Sequence, residues 1–76
     1  MNTVDRIKVR TEAAAAHVAG GGNRDAYMRG RFAAYVNAPL FETMKEEADD
    51  AAQTSFIKGY HDEEAFQMAV LDGKED

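Results

Sequence analysis

A chain of 76 residues with no cysteine and only two histidines has few ways to hold itself together. A single core of this size supplies only about 3–5 kcal/mol. Disulfides, metals, regular helix packing or self-association normally add to it. Disulfides are excluded here, and His17 and His61 without a thiolate make a poor zinc site. Packed helices and self-association remain. Alanine is frequent, Pro39 is the only proline, half of the glycines fall in one cluster, and β-branched residues are few and scattered. The expected fold is therefore all-α: one domain, a small bundle of three or four short antiparallel helices, completed in one version by self-association.

The apolar pattern and the punctuation divide the chain. Val4, Ile7, Thr11, Ala14 and Val18 repeat at spacings of three and four, which predicts an amphipathic helix over about 4–18. Asn2 or Thr3 can cap it, with Asp5 in the first turn facing the positive end of the helix dipole. Gly20, Gly21 and Gly22 read as a flexible link. Asn23 then caps a second helix over about 24–36, whose apolar face is Tyr27, Met28, Phe32, Tyr35 and, at its edge, Ala34. Asn37-Ala38-Pro39 breaks the pattern, and Asn37 or Ala38 caps a third segment that starts near Pro39. Leu40 or Phe41, Met44, Ala48, Ala51 or Ala52, and Phe56 mark its buried side. That segment runs to about residue 72, either as one helix kinked at Gly59 or as two, with Asp62 starting the second. Residues 73–76 form a tail expected to fray. Tyr27-Met28-Arg29-Gly30 and Phe56-Ile57-Lys58-Gly59 share the order aromatic, apolar, basic, glycine. This places both glycines in mid-helix where two backbones cross closely.

Charge divides at the same boundary. Residues 1–37 carry six basic and three acidic side chains, a net of +3. Residues 38–76 carry three basic and eleven acidic ones, a net of −8. The sharpest surface feature is the run Glu46, Glu47, Asp49 and Asp50. On a continuous helix Glu42, Glu46 and Asp50 stack on one face, like charges four apart. Such a face can be solvated, pair within the fold with Arg24 and Arg31, or meet a basic partner. Arg24, Arg29 and Arg31, interleaved with Tyr27, Phe32 and Tyr35, form a candidate basic patch of the kind nucleic acid uses. The pI near 4.9 and the inward spacing of those aromatics argue against direct nucleic-acid binding.

No catalytic constellation appears. Ser55 is the only serine, and neither histidine stands in the sequence context of an activated nucleophile. His17 suits the negative end of its helix, and His61-Asp62-Glu63-Glu64 reads as helix capping, since a di-iron bundle needs Glu-x-x-His on two helices. No enzyme, cofactor or metal site is expected. Neither a signal-peptide stretch nor the ~20 apolar residues of a membrane span is visible, so a soluble, cytoplasmic protein is expected. The leading expectation is an adaptor or inhibitor that offers Glu42, Glu46, Glu47, Asp49 and Asp50 to a basic protein surface. A homodimeric or larger assembly protein is the alternative. A further one is an acidic mimic of DNA directed at a nucleic-acid enzyme, a role that small proteins carried by phages fill.

Overall fold

A computed structural model describes residues 2–71, and among these every regular element is a helix. The order is α1 (Thr3–Ala19), α2 (Arg24–Tyr35), α3 (Leu40–Met44) and α4 (Asp50–Leu71). The expected all-α bundle is the observed fold. The side chains of Asn2 and Asn23 accept the backbone N–H groups of Asp5 and Ala26 at 2.8 and 3.0 Å, so both starts are capped by asparagine.

Two helices stop by the same device. After α1, the Gly21 N–H donates to the Val18 carbonyl and the Gly22 N–H to the His17 carbonyl, both at 2.9 Å. After α2, the Asn37 N–H donates to Ala34 and the Ala38 N–H to Ala33, at 3.1 and 2.8 Å. Each is a Schellman turn, and each needs one residue in the left-handed region: Gly21 at φ 95° and Asn37 at φ 59°. The triple glycine is thus an ordered cap rather than a flexible link. Asn37 closes α2 instead of opening α3.

The third segment divides differently from expectation. Its interruption lies at residues 45–49, and α4 passes through Gly59 and Asp62 without a break. Asp49 explains the position: its side chain accepts the Ala52 N–H at 2.8 Å and caps α4. Gly59 is tolerated in mid-helix because of what lies against it. A Cβ at Gly59 would overlap the Tyr27 carbonyl of α2, and a Cβ at Gly30 would overlap the Phe56 carbonyl of α4. In each half of the repeated four-residue pattern, the glycine receives the carbonyl of the other half's aromatic. The two segments cross with like chain directions, since Asn23, Tyr27 and Arg31 meet Ser55, Gly59 and Glu63 in the same order, so this pair departs from the expected antiparallel arrangement. α2 and α4 are the central pair, and α1 and α3 lie at their flanks.

This close crossing decides what is inside. The buried apolar residues are Ala14, Ala26, Tyr27, Ala33, Ala34, Ala52 and Phe56, mostly alanine. The buried polar ones are Arg31, Glu47, Ser55 and Glu63. The aromatic face expected of α2 is therefore rotated outward: Tyr27 is buried, whereas Phe32 and Tyr35 are 66 % and 61 % exposed. Backbones in contact leave room for small side chains at the crossing, so the alanine–glycine side of α2 packs together with Tyr27, and Phe32 and Tyr35 are left outside. On α1 only Ala14 of the predicted stripe is buried, and Val4, Ile7 and Val18 are exposed. Of the alternatives Leu40 or Phe41, Leu40 is half-buried and Phe41 is 70 % exposed, and Ala48, outside any helix at residues 45–49, is exposed against expectation. The expected frayed tail, residues 73–76, lies outside the described residues.

Candidate functional site

Arg31 and Glu63 meet at the centre of the bundle, 3 % and 1 % exposed, with Arg31 Nε 3.0 Å from Glu63 Oε1. Arg10 reaches across from α1 and grips the same carboxylate with two bonds, Nε to Oε1 at 2.9 Å and Nη2 to Oε2 at 2.7 Å. Gln67 Nε2 donates to Oε2 as well, at 2.6 Å. Four N–H donors therefore hold one carboxylate, a geometry that fixes it as an anion. The Arg10 guanidinium also lies 4.9 Å from the Phe66 ring centroid and 5.5 Å from that of Tyr35.

The network continues through Tyr27. Its hydroxyl accepts from Arg31 Nη1 at 2.9 Å and donates to Asp62 Oδ2 at 2.6 Å, and Lys58 sits 3.0 Å from Asp62 Oδ1. Asp62, expected as a helix cap, is instead a mid-helix acceptor. His61 pairs only locally, with Glu64 at 3.0 Å. At the other end of the bundle, His17 stacks on Tyr27 at 4.7 Å between ring centroids and lies 2.8 Å from Ser55 Oγ through Nε2. Ser55 Oγ also accepts the Asn23 N–H at 2.9 Å. A serine and a histidine are thus brought together that the sequence kept 38 residues apart. Ser55 is buried and its oxygen already holds a backbone N–H. No carboxylate holds the second ring nitrogen of His17 among the described residues. A serine nucleophile needs an accessible oxygen and an oriented base, so the pair ties α1, α2 and α4 together.

Three carboxylates are held below their ordinary range. For Glu63, burial alone would raise the pKa, but the bonds from Arg10 and Gln67 and the charges of Arg10 and Arg31 outweigh it. For Asp62, burial is likewise opposed by the Tyr27 and Lys58 bonds. For Glu47, the bond from Arg29 dominates. The folded chain thus binds fewer protons than the unfolded chain in the acid range. The stability these groups contribute is complete above the ordinary carboxylate values and is lost as pH falls through the lowered ones. Melting temperatures followed by circular dichroism should stay level from ~pH 7 to ~pH 5 and fall steadily below ~pH 4. A level profile down to ~pH 3 would contradict this assignment.

The acidic run is dispersed by the fold. Because residues 45–49 are not helical, Glu42, Glu46 and Asp50 do not stack on one helical face. Glu47 is buried and bound by Arg29 with two bonds, at 2.9 and 2.7 Å, and Asp49 is the α4 cap. Glu42, Glu46 and Asp50 are exposed and form no ion pair among the described residues. The anticipated pairing of this face with Arg24 and Arg31 does not form: Arg31 is bound to Glu63, and exposed Arg24 lies 3.6 Å from Asp25. Arg24, Arg29 and Arg31 therefore do not make one basic patch. The signal for Glu63 was present as a carboxylate amid helical apolar spacing, but nothing local marked it as buried.

What the outside of α2 offers is a ridge between two clefts. Phe32 lines both. On one side a cleft of about 240 Å³ is lined with Arg10, Met28 and Tyr35. On the other a cleft of about 540 Å³ is lined with Arg29, Val36, Thr43 and Glu46. A third hollow joins Tyr35 and Arg10 to Arg6 and Ile7 of α1. Exposed Ile7, Tyr35, Phe32 and Val36 thus lie along one band, with arginines at its α1 end and Glu46 at its α3 end. Among the described residues no three His, Cys, Asp or Glu side chains converge to hold a metal ion, and no helix is long and apolar enough to cross a membrane. Comparison with known protein families, with curated proteins and with solved structures finds no match.

Proposed function

We propose that this chain is a small, non-enzymatic interaction protein that associates with a second copy of itself through the α2 band. The observation that carries the reading is the outward placement of Phe32 and Tyr35 on a helix whose inner face is Tyr27, Arg31 and small residues. Large aromatics are the residues interfaces concentrate, and a core of alanine and ion pairs leaves a chain this short in need of further burial. The charges favour a like partner. A two-fold axis through the ridge brings the Arg6–Arg10 end of one copy over the Glu46 end of the other, so the surface is self-complementary in sign.

Sedimentation equilibrium over the micromolar range should show a species of twice the 8.4 kDa chain mass. Phe32→Ser should weaken association at least tenfold while leaving the far-ultraviolet circular dichroism unchanged, because the side chain is exposed. High salt should weaken association by several-fold. An 8.4 kDa species alone throughout that range would overturn the reading.

A second reading rests on the exposed Glu42, Glu46 and Asp50, which form no ion pair among the described residues and support docking to a basic protein surface. Pull-downs at low and high salt test it, since a partner retained equally at both would not be held by these charges. Mimicry of DNA loses its geometric basis with the stacked face.

A further inference from the structure

We propose that the cleft over the Arg31–Glu63 pair binds a single carboxylate carried on an apolar or aromatic stem. The first support is a donor without an acceptor. Arg31 is 97 % buried, its Nε engaged by Glu63 and its Nη1 by the Tyr27 hydroxyl, yet Nη2 has no hydrogen-bond partner among the described residues. A buried guanidinium N–H without an acceptor carries an uncompensated desolvation penalty. Glu63 has little capacity left to relieve it, because Oε1 already accepts from Arg10 and Arg31 and Oε2 from Arg10 and Gln67.

The second support is charge. In the connected cluster Arg10, Arg31 and Lys58 face Glu63 and Asp62, which leaves one positive charge in excess. One monoanion neutralises it. The planar guanidinium matches a carboxylate in shape as well as in sign. The third is the enclosure. Arg31 and Glu63 line the cleft together with Arg10, and Met28, Phe32 and Tyr35 supply apolar walls around a space of about 240 Å³, enough for one aromatic ring. Phe32 and Tyr35 are largely exposed without a ligand and would bury further area against its stem. Such a carboxylate can come from a free organic acid or from an acidic side chain of a second copy.

Benzoate is the probe, with benzamide as its uncharged counterpart. In ¹⁵N-resolved titrations of the dilute protein, benzoate should bind saturably in the millimolar range. The shifts should concentrate on the Arg31 Nε–H and the amides of Met28, Phe32 and Tyr35. Benzamide should bind at least tenfold more weakly. Phe32→Ala, at an exposed position, should keep the fold and lower benzoate affinity several-fold. The paired substitution Arg31→Met with Glu63→Leu should abolish the preference for benzoate. Equal responses to the two probes, or shifts that never saturate and spread over the surface, would overturn the site. Sedimentation with and without benzoate separates the sources. Weakened self-association identifies the natural occupant as the second copy's carboxylate, and unchanged self-association identifies a free acid. A chain that stays monomeric but binds benzoate as described would sink only the self-association reading.

Discussion

Gly30→Ala and Gly59→Ala should each lower the melting temperature by roughly 10–15 °C, although alanine is the better helix former. The added methyl points at backbone in both cases, the Phe56 carbonyl against Gly30 and the Tyr27 carbonyl against Gly59. A side chain can swing aside, but a helix backbone moves only if α2 and α4 separate along their contact. Overpacking of this kind costs about 1–3 kcal/mol or more, and backbone obstacles belong at the upper end. The propensity gain returns about 1 kcal/mol, which leaves a net loss near 2 kcal/mol. That is a large share of what a single core of this length supplies. The double substitution should cost less than the sum, since one separation of the helices relieves both overlaps. Gly20→Ala is the control: its nearest neighbours would be at an ordinary 3.6 and 3.8 Å, so stability should hold or rise slightly. Thermal melts of the four variants decide the matter. Shifts of only a degree or two at positions 30 and 59 would show that the crossing is not close.

Glu63→Gln should be more damaging still. It leaves Arg31 buried without a counter-charge, and breaking one side of a buried pair costs about 3–5 kcal/mol. Against a total of comparable size, the variant should be largely unfolded at room temperature. The pair need not be the most stable filling of that space. Replacing Arg31 by Met and Glu63 by Leu together removes both desolvation penalties, and exchanges of this kind are often neutral or stabilising. Tyr27 keeps Asp62 as its acceptor, and Arg10, partly exposed, can turn to solvent. Denaturant titration should therefore order the proteins with Glu63→Gln far below the parent and the double substitution at or above it. A Glu63→Gln protein as stable as the parent would show that the ion pair does not hold the bundle together.

The asparagine caps, the four-residue repeat and the ends of α1 and α2 were legible because each depends on neighbours within a few positions. Asn37 misled because asparagine serves both as a helix cap and as a left-handed residue; only the bonds to Ala33 and Ala34 distinguish the two. Gly59 misled as a break because its cost in an isolated helix is offset by contact with α2. The acidic run misled most. Spacing on an assumed continuous helix grouped Glu42, Glu46 and Asp50, whereas the Asp49 cap ended that continuity.

The sequence by itself determined that this chain is helical, roughly where its helices begin and end, and that two glycines mark a crossing. Those are short-range matters of capping, propensity and backbone freedom. Only the tertiary structure decided that Arg31 faces inward and Phe32 and Tyr35 outward. The reason is the crossing: once the backbones touch at Gly30 and Gly59, the small-residue side of α2 packs. The buried charges are then met by partners 32 and 53 residues away in the chain. A hydrophobic periodicity ranks side chains by polarity, but a close crossing demands small residues at the point of contact and turns the helix to supply them.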